Sequence, residues 1–114
     1  MADTVQQLLR ERIDDPGTAV RYGERSWTWR EHLDDAARQA GALIALADPE
    51  RRFHVGALLG NTPTMLTAMA AAGLGGYVLA GINNTRRGAA LARDIALADC
   101  QILLTDDAHR HLIA

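Results

Sequence analysis

The second half of the chain alternates apolar runs with helical segments, and this order limits the possible folds more than any other feature. Near-continuous apolar runs of strand length occupy residues 53–59, 77–82 and 100–104. The segments between them, 63–72 and 88–98, have the composition and length of helices. Strands that alternate with such helices pair in parallel through right-handed crossovers. The sequence therefore predicts a three-layer α/β fold with a mostly parallel sheet, in β-α-β-α-β order from residue 53.

The beginning of the chain predicts a helix followed by a β-hairpin. Residues 5–13 place apolar side chains on one helical face, and the run 14–17, with its proline and glycine, ends that helix. Two short strand-like runs, 19–22 and 25–27, flank a two-residue turn that begins with Gly23. A glycine-led turn of this length is typical of a tight hairpin.

A long helix is predicted directly after the hairpin. Thr28 and Glu31 have the spacing of a capping box, in which each side chain bonds to the backbone amide of the other residue. Asp48 and Pro49 end the helix. The face predicted to be buried carries Leu33, Ala36, Ala37, Ala40, Leu43, Ile44 and Ala47.

The two later helices differ in character. Thr62 and Pro63 begin the helix 63–72, which is apolar nearly all round and is therefore expected to be covered on more than one side. The helix 88–98 is amphipathic, with Leu91, Ala92 and Ile95 expected inward. After the last strand, Asp106 has the character of a cap for one more helix.

Composition restricts the class of protein. The 114 residues suit one domain, and a net charge of −2 with interleaved arginines and acids disfavours nucleic acid and polybasic membrane binding. A single cysteine, Cys100, and the lack of a signal peptide or long apolar stretch indicate a cytoplasmic location. All 12 basic residues other than histidine are arginine. Mechanisms that depend on a lysine within this chain are therefore excluded.

Four ordered segments carry a family resemblance. They are residues 22–31, 54–63, 70–83 and 91–105. In this order they resemble the hairpin, first core strand, helix-turn-strand and following helix-strand of acyl-CoA synthetases in the adenylate-forming, or AMP-binding, family. Ala90 departs from the pattern, since an acidic residue often stands there. The resemblance covers nearly the whole chain and implies that residues 1–114 are the N-terminal portion of the large AMP-binding domain.

The resemblance also implies an activity for the intact enzyme. That family uses ATP and magnesium to convert a fatty acid to an acyl-adenylate and then transfers the acyl group to coenzyme A. Its Ser/Thr/Gly phosphate loop and its adenylating lysine are expected beyond this chain. We therefore expect this chain alone to be inactive, to contain no catalytic residue and to bind no cofactor.

Few residues qualify as ligand-binding candidates. Asn61 and Thr62 lie on a strand-to-helix turn, where free amides can hold an anion, although helix capping is the favoured interpretation. Arg86 and Arg87 form the one concentrated positive spot, for which a solvated loop is the favoured interpretation. The run 73–76 lacks the full dinucleotide pattern and is interpreted as a helix end.

The other side chains that could bind a ligand or react are expected to have structural roles instead. Asp106, Asp107, His109 and His111 could be drawn as a metal site, but residues two apart on a helix do not face each other. We therefore predict no metal there. Cys100 is expected to pack rather than react. Packing is also the expected role of Trp27 and Trp29.

The sequence also allows a different function and a homodimer. The alternative is a free-standing α/β module that binds a small ligand or a protein. If the chain lacks the segments that cover the helix 63–72, that helix can pair with a second copy. The sequence therefore predicts a possible homodimer centred on Met65 and Met69.

Overall fold

A computed structural model describes residues 2–113, which form an α/β fold of two compact units. The first unit contains helices α1 and α2, a hairpin of strands β1 and β2, and helix α3; the second contains strands β3, β4 and β5 and helix α4. The bounds are α1 Val5–Arg10, β1 Thr18–Tyr22, β2 Arg25–Thr28, α2 Trp29–Leu46, β3 His54–Leu58, α3 Pro63–Gly75, β4 Val78–Gly81, α4 Gly88–Ala98 and β5 Ile102–Thr105, followed by a 3-10 helix Arg110–Leu112. The predicted element order from residue 53 is confirmed.

The hairpin and the helix after it form as predicted. β1 and β2 are antiparallel, and Gly23 adopts a left-handed φ of 62° in the turn between them. The Thr28 hydroxyl accepts from the Glu31 amide at 3.1 Å, and the Glu31 carboxylate accepts from the Thr28 amide at 3.0 Å. These two bonds hold the pKa of Glu31 below its usual range. The capping box therefore fixes the start of α2.

The buried face of α2 is narrower than predicted. Ala37 and Ile44, both assigned to the core from the sequence, are exposed. His32 is buried instead, and burial lowers the pKa of its imidazole. The remaining buried residues of α2 are Leu33, Ala36, Ala40 and Leu43. α2 packs against α3, and small alanines on both helices permit this close approach.

Helix α3 continues through Gly75, three residues beyond its predicted end at residue 72. Gly73 lies inside the helix, where an added Cβ would meet Leu9 Cδ1 and Val5 Cγ1, each at 2.9 Å. The glycine thus allows α1 to pack closely on α3. Gly76, with φ of 72°, then ends α3 as a left-handed cap, so the helix-end interpretation of this glycine run is confirmed.

Two large side chains of α3 reach solvent. Leu66 is 43% exposed and Met69 is 56% exposed, whereas Ala68 and Ala70 are buried. The prediction that this helix is covered on more than one side is confirmed, since both α1 and α2 pack against it, but the side that carries Leu66 and Met69 remains exposed. Helix α1 is shorter than predicted, because the chain turns after Arg10.

The sheet of the second unit is parallel, in the order β4-β3-β5. Val55 of the central strand pairs with Leu79 on one side and with Ile102 on the other. A buried cluster of Leu58, Ile82 and Leu91 packs against the half-buried Ile95, Ala98, Leu103 and Leu112. Ala92, predicted to point inward, is exposed. Within residues 2–113, no helix is long and apolar enough to cross a bilayer.

Candidate functional site

The candidate site lies at the carboxyl edge of the parallel sheet. The chain passes from the central strand β3 to β4 on one side, and then returns past β3 to β5 on the other. In open α/β sheets, ligands bind outside the carboxyl ends of the strands where the strand order reverses in this way. The residues that follow β3, β4 and β5 are therefore the candidate binding groups.

Neighbouring side chains satisfy the backbone carbonyls at the end of β3. The Thr105 hydroxyl donates to the Leu58 carbonyl at 3.0 Å, and the Asn84 amide nitrogen donates to the Leu59 carbonyl at 3.0 Å. The first bond joins the end of β3 to the last residue of β5, and the second joins it to the loop beyond β4. The carboxyl edge is thus cross-linked by polar side chains on both sides of the central strand.

Asp106 provides the densest polar cluster at this edge. One carboxylate oxygen accepts from the Gly60 amide at 3.2 Å, and the other accepts from the His109 amide at 3.0 Å. His109 Nδ1 lies 2.6 Å from that second oxygen. The His109 hydrogen bond, followed by the Gly60 amide, holds the pKa of Asp106 below its usual range despite partial burial. Asp106 therefore caps a turn, and the continuous helix expected after it is replaced by a short 3-10 helix.

The two candidate arginines bond to nearby residues of the loop and of α4. Arg86 Nε donates to a carboxylate oxygen of Asp94 at 3.1 Å. Arg87 Nη1 donates to the carbonyls of Asn84 at 2.7 Å and Arg86 at 2.8 Å. Both arginines are exposed, and within residues 2–113 no hydrogen bond joins either one to Asn61. Arg86 thus joins the loop to α4, whereas Arg87 bonds within the loop.

The other two candidates, Asn61 and Thr62, have fewer side-chain contacts. Asn61 is exposed after β3. Thr62 occupies the N-cap position of α3 with extended backbone, but its side chain makes no capping bond. The predicted N-cap position of Thr62 and the placement of Pro63 in the first turn are therefore confirmed, whereas the side-chain capping bond is not formed.

The candidate metal ligands do not come together around one position. Asp106 and His109 contact each other, whereas the Asp107 side chain is fully exposed and lies 3.8 Å from Arg110. Across residues 2–113, no three His, Cys, Asp or Glu residues are grouped to hold a metal ion. Cys100 is half-buried, and its sulfur would be 2.9 Å from a Cβ added at Gly56, which agrees with a packing role.

The two tryptophans also have local partners. The Arg25 guanidinium lies over the Trp27 ring, 4.7 Å from its centroid. The Trp29 and His32 rings meet edge-on at 6.2 Å. Both contacts remain within the hairpin and the start of α2, which agrees with packing.

Sequence reasoning missed the roles of Asn84, Thr105 and Gly60 in this cluster. A signal was present, since all three follow or end predicted parallel strands, and such positions meet at one sheet edge. The sequence could not show which of these groups bond to one another, because strand order decides that.

Comparisons with known proteins agree with this fold. Residues 12–114 match the family model described as AMP-binding enzyme. The chain is 50% identical over 105 residues to the medium/long-chain-fatty-acid–CoA ligase FadD17 of Mycobacterium tuberculosis, covering 90% of this chain and 20% of that enzyme. It is 40% identical over 114 residues to the steroid-22-oyl-CoA synthetase of Rhodococcus jostii, covering 97% of this chain and 20% of that enzyme. The chain thus spans about a fifth of the length of these curated relatives.

Solved structures show the same fold at lower identity. The anthranilate CoA ligase AuaEII superposes with a TM-score of 0.82 at 20% identity, over 96% of this chain and 22% of that structure. The O-succinylbenzoate coenzyme A synthetase MenE of Bacillus subtilis gives a TM-score of 0.76 at 23% identity, over 88% and 22%. Because the family model covers most of the sequence, the chain belongs to the AMP-binding enzyme family.

Proposed function

We propose that this chain is the N-terminal portion of the large domain of an ATP-dependent fatty-acyl-CoA ligase acting in the cytoplasm. The observation that carries the proposal is the pair of relatives at 40% and 50% identity, each named for forming a coenzyme A derivative. The intact enzyme would form an acyl-adenylate from a fatty acid and ATP with magnesium, and would then transfer the acyl group to coenzyme A.

The isolated chain would be catalytically inactive in this proposal. Phosphoryl and acyl chemistry needs preorganised donors directed at the charge that develops in the transition state. The chain has no lysine, and the Asp106 carboxylate already occupies the Gly60 amide at the carboxyl edge. The Gly60 amide is therefore bonded within the chain and is not free for a nucleotide phosphate. ATP, magnesium and coenzyme A would be held by the rest of the enzyme.

A chimera tests the proposed parent activity. The matching fifth of M. tuberculosis FadD17 would be replaced by this sequence, and acyl-CoA formation from a medium-chain fatty acid would be measured. We expect activity within about tenfold of the parent, since the two segments share half of their residues. A soluble, folded chimera with no activity would contradict the proposal.

A matched variant controls for folding of the chimera. Gly56 lies in the central strand, and an added Cβ would be 2.9 Å from both Cys100 Sγ and Leu103 Cδ1. The chimera carrying Gly56→Val should lose both solubility and activity, because overpacking a core strand is destabilising. A fully active Gly56→Val chimera would show that the assay does not depend on this segment.

The isolated chain tests the inactivity and its alternative. Purified 114-residue protein mixed with ATP, magnesium and a fatty acid should release no pyrophosphate above a protein-free blank. Titration with ATP should cause no saturable NMR shift. Saturable shifts at residues 61–64 would favour the free-standing ligand-binding module instead.

The proposed homodimer would bury the exposed side of α3. Met69 is 56% exposed, whereas Met65 is half-buried, so the contact would centre on Leu66 and Met69. A stable interface needs roughly 1,000 Å² of buried surface in total. Met69→Glu should then convert a sedimenting dimer to a monomer, with Leu97→Glu on exposed α4 as the control. A wild-type chain that sediments as a monomer at high concentration would contradict the dimer.

A further inference from the structure

A short segment after β5 folds back over the carboxyl edge of the sheet. It comprises residues 106–112 and is named the latch here. Asp106 holds its beginning through the Gly60 amide at 3.2 Å, which belongs to the turn after β3. Leu112 holds its end by packing against the cluster that contains Leu58 and Ile82. The latch is thus fixed at two points to residues at the ends of β3 and β4.

The latch lies where ligands bind in sheets of this topology. The crevice outside the carboxyl ends, beside the central strand, is the usual ligand position. In this chain the Asp106 carboxylate accepts a hydrogen bond from the Gly60 amide, and Leu112 contacts the apolar cluster at the end of β3. At this edge, side chains of the latch therefore bond to a backbone donor and cover apolar surface that a ligand could otherwise contact.

The backbone bonds within the latch are all local. The Asp106 carbonyl accepts from the His109 amide at 3.2 Å and from the Arg110 amide at 3.0 Å, the Leu112 amide donates to the His109 carbonyl at 3.0 Å, and the Ile113 amide donates to the Arg110 carbonyl at 3.2 Å. Short turns of this kind have poor hydrogen-bond geometry and little stability of their own. The Gly60 and Leu112 anchors therefore add to this local structure, whereas the sheet is held by its own ladder and core.

We propose that the latch is a detachable cover of the carboxyl edge, held closed by the Asp106 carboxylate and released without unfolding of the sheet. Segments with few buried contacts open locally at lower free energy than the core. Opening would free the Gly60 amide and the end of the Leu58 cluster together. This inference is independent of the proposed ligase function.

The negative charge of Asp106 controls how strongly the latch is held. His109 is the one titratable side chain bonded to it within residues 2–113, and from the β3 side the carboxylate accepts from the uncharged Gly60 amide. Asp107 and Arg110, on the latch itself, pair with each other at 3.8 Å. Loss of the negative charge on Asp106 therefore weakens the hydrogen bond that joins the latch to the turn after β3.

Amide hydrogen exchange of the purified 114-residue chain, followed by NMR, tests the proposal. The reporters are the amides of Gly60, His109 and Leu112; the reference amides, Ile82 and Gln101, bond to β3 carbonyls at 2.9 Å. In Asp106→Asn, the protection factors of the reporters should fall by about tenfold, because charge-assisted bonds are lost. Those of the reference amides should stay within about twofold.

Two further variants keep the test decisive. Asp107→Asn makes the same charge change one residue away on a fully exposed side chain, and should leave all protection factors unchanged. Leu112→Ala loosens the other anchor and should release Leu112 and His109 while the reference amides keep their protection. The proposal is overturned if Asp106→Asn leaves the reporters protected. Equal loss of protection at reporters and reference amides, in both anchor variants, would also overturn it, since the latch would then be part of the sheet.

Discussion

The two edges of the three-stranded sheet are fixed by different chemistry. At the amino edge, Gln101 accepts from the Asp48 amide at 2.7 Å and donates to the Arg52 carbonyl at 3.0 Å. At the carboxyl edge, Asp106 and His109 form a charged cluster on the Gly60 amide. The first clamp is an uncharged side-chain amide that replaces a backbone partner. The second depends on a carboxylate.

This difference assigns separate roles to the edges. An uncharged amide keeps its hydrogen bonds at every pH, so the amino edge is a constant support for the loop before β3. A carboxylate accepts strong bonds only while it is ionised. Local opening that responds to conditions should therefore occur at the carboxyl edge, which is also the edge where ligands of α/β sheets bind.

The largest expected loss of stability follows from truncating a buried side chain at the carboxyl edge. Leu58 ends β3 and is fully buried against Ile82 and Leu91. Leu58→Ala should lower the free energy of unfolding by about 2–5 kcal/mol, because it removes apolar contacts and leaves a cavity. Urea denaturation measures this change.

An exposed leucine provides the control for that variant. Leu97 on α4 is 76% exposed, so Leu97→Ala should change stability by no more than about 0.5 kcal/mol. Equal effects of the two variants would show that the carboxyl edge has no core of its own.

The amino-edge clamp should contribute less. Gln101→Ala removes the bonds to Asp48 and Arg52 and should cost about 1–2 kcal/mol at every pH in the native range. Gln101→Met, which keeps the length of the side chain but has no amide, should cost a similar amount. A much smaller loss in Gln101→Met would mean that packing, and not hydrogen bonding, holds this edge.

Asp106→Asn should destabilise the chain by less and in a pH-dependent way. The pKa of Asp106 is lower in the folded chain than its ordinary value of about 3.9. Its contribution is therefore present above that ordinary value and is lost as the pH falls through the lowered folded pKa. The stability difference between wild type and Asp106→Asn should shrink on acidification. A difference that stays constant would assign the effect to geometry instead of charge.

The smallest expected effect is at a buried hydroxyl near the amino edge. Tyr77 precedes β4, stacks on Phe53 at 4.5 Å, and its hydroxyl has no hydrogen-bond partner within residues 2–113. Tyr77→Phe keeps the ring and should leave stability unchanged or raise it by about 1 kcal/mol. Thermal unfolding would measure this, and a clear loss would show that the hydroxyl is bonded.

Local signals in the sequence predicted much of the fold. The capping box of Thr28 and Glu31 and the bounds of α4 follow from residue spacing alone, and both agree with the structure. The end of α3 was not predicted, because a run of glycines indicates a helix end, whereas Gly73 lies inside α3 where α1 packs closely against it. Ile44 was placed in the core because a helical face is judged from one helix, whereas burial depends on its neighbour.

The candidate site was predicted less well than the fold. Arg86 and Arg87 stood out as a positive pair, but their contacts with Asp94 and Asn84 require the folded loop. Asp106 stood out as a helix cap, yet its bond to Gly60 joins residues 46 positions apart in the chain. Such contacts depend on strand order, which no local pattern contains.

The central position of β3 has a consequence for synthesis on the ribosome. β3 is made before either strand that pairs with it, and its Val55 must wait first for Leu79 and then for Ile102. At about 5–20 residues per second, the apolar central strand is unpaired on one side for seconds while translation proceeds. The nascent chain thus exposes a strand suited to aggregation during that interval. Faster translation through residues 59–101 should shorten the exposure and raise the yield of folded protein.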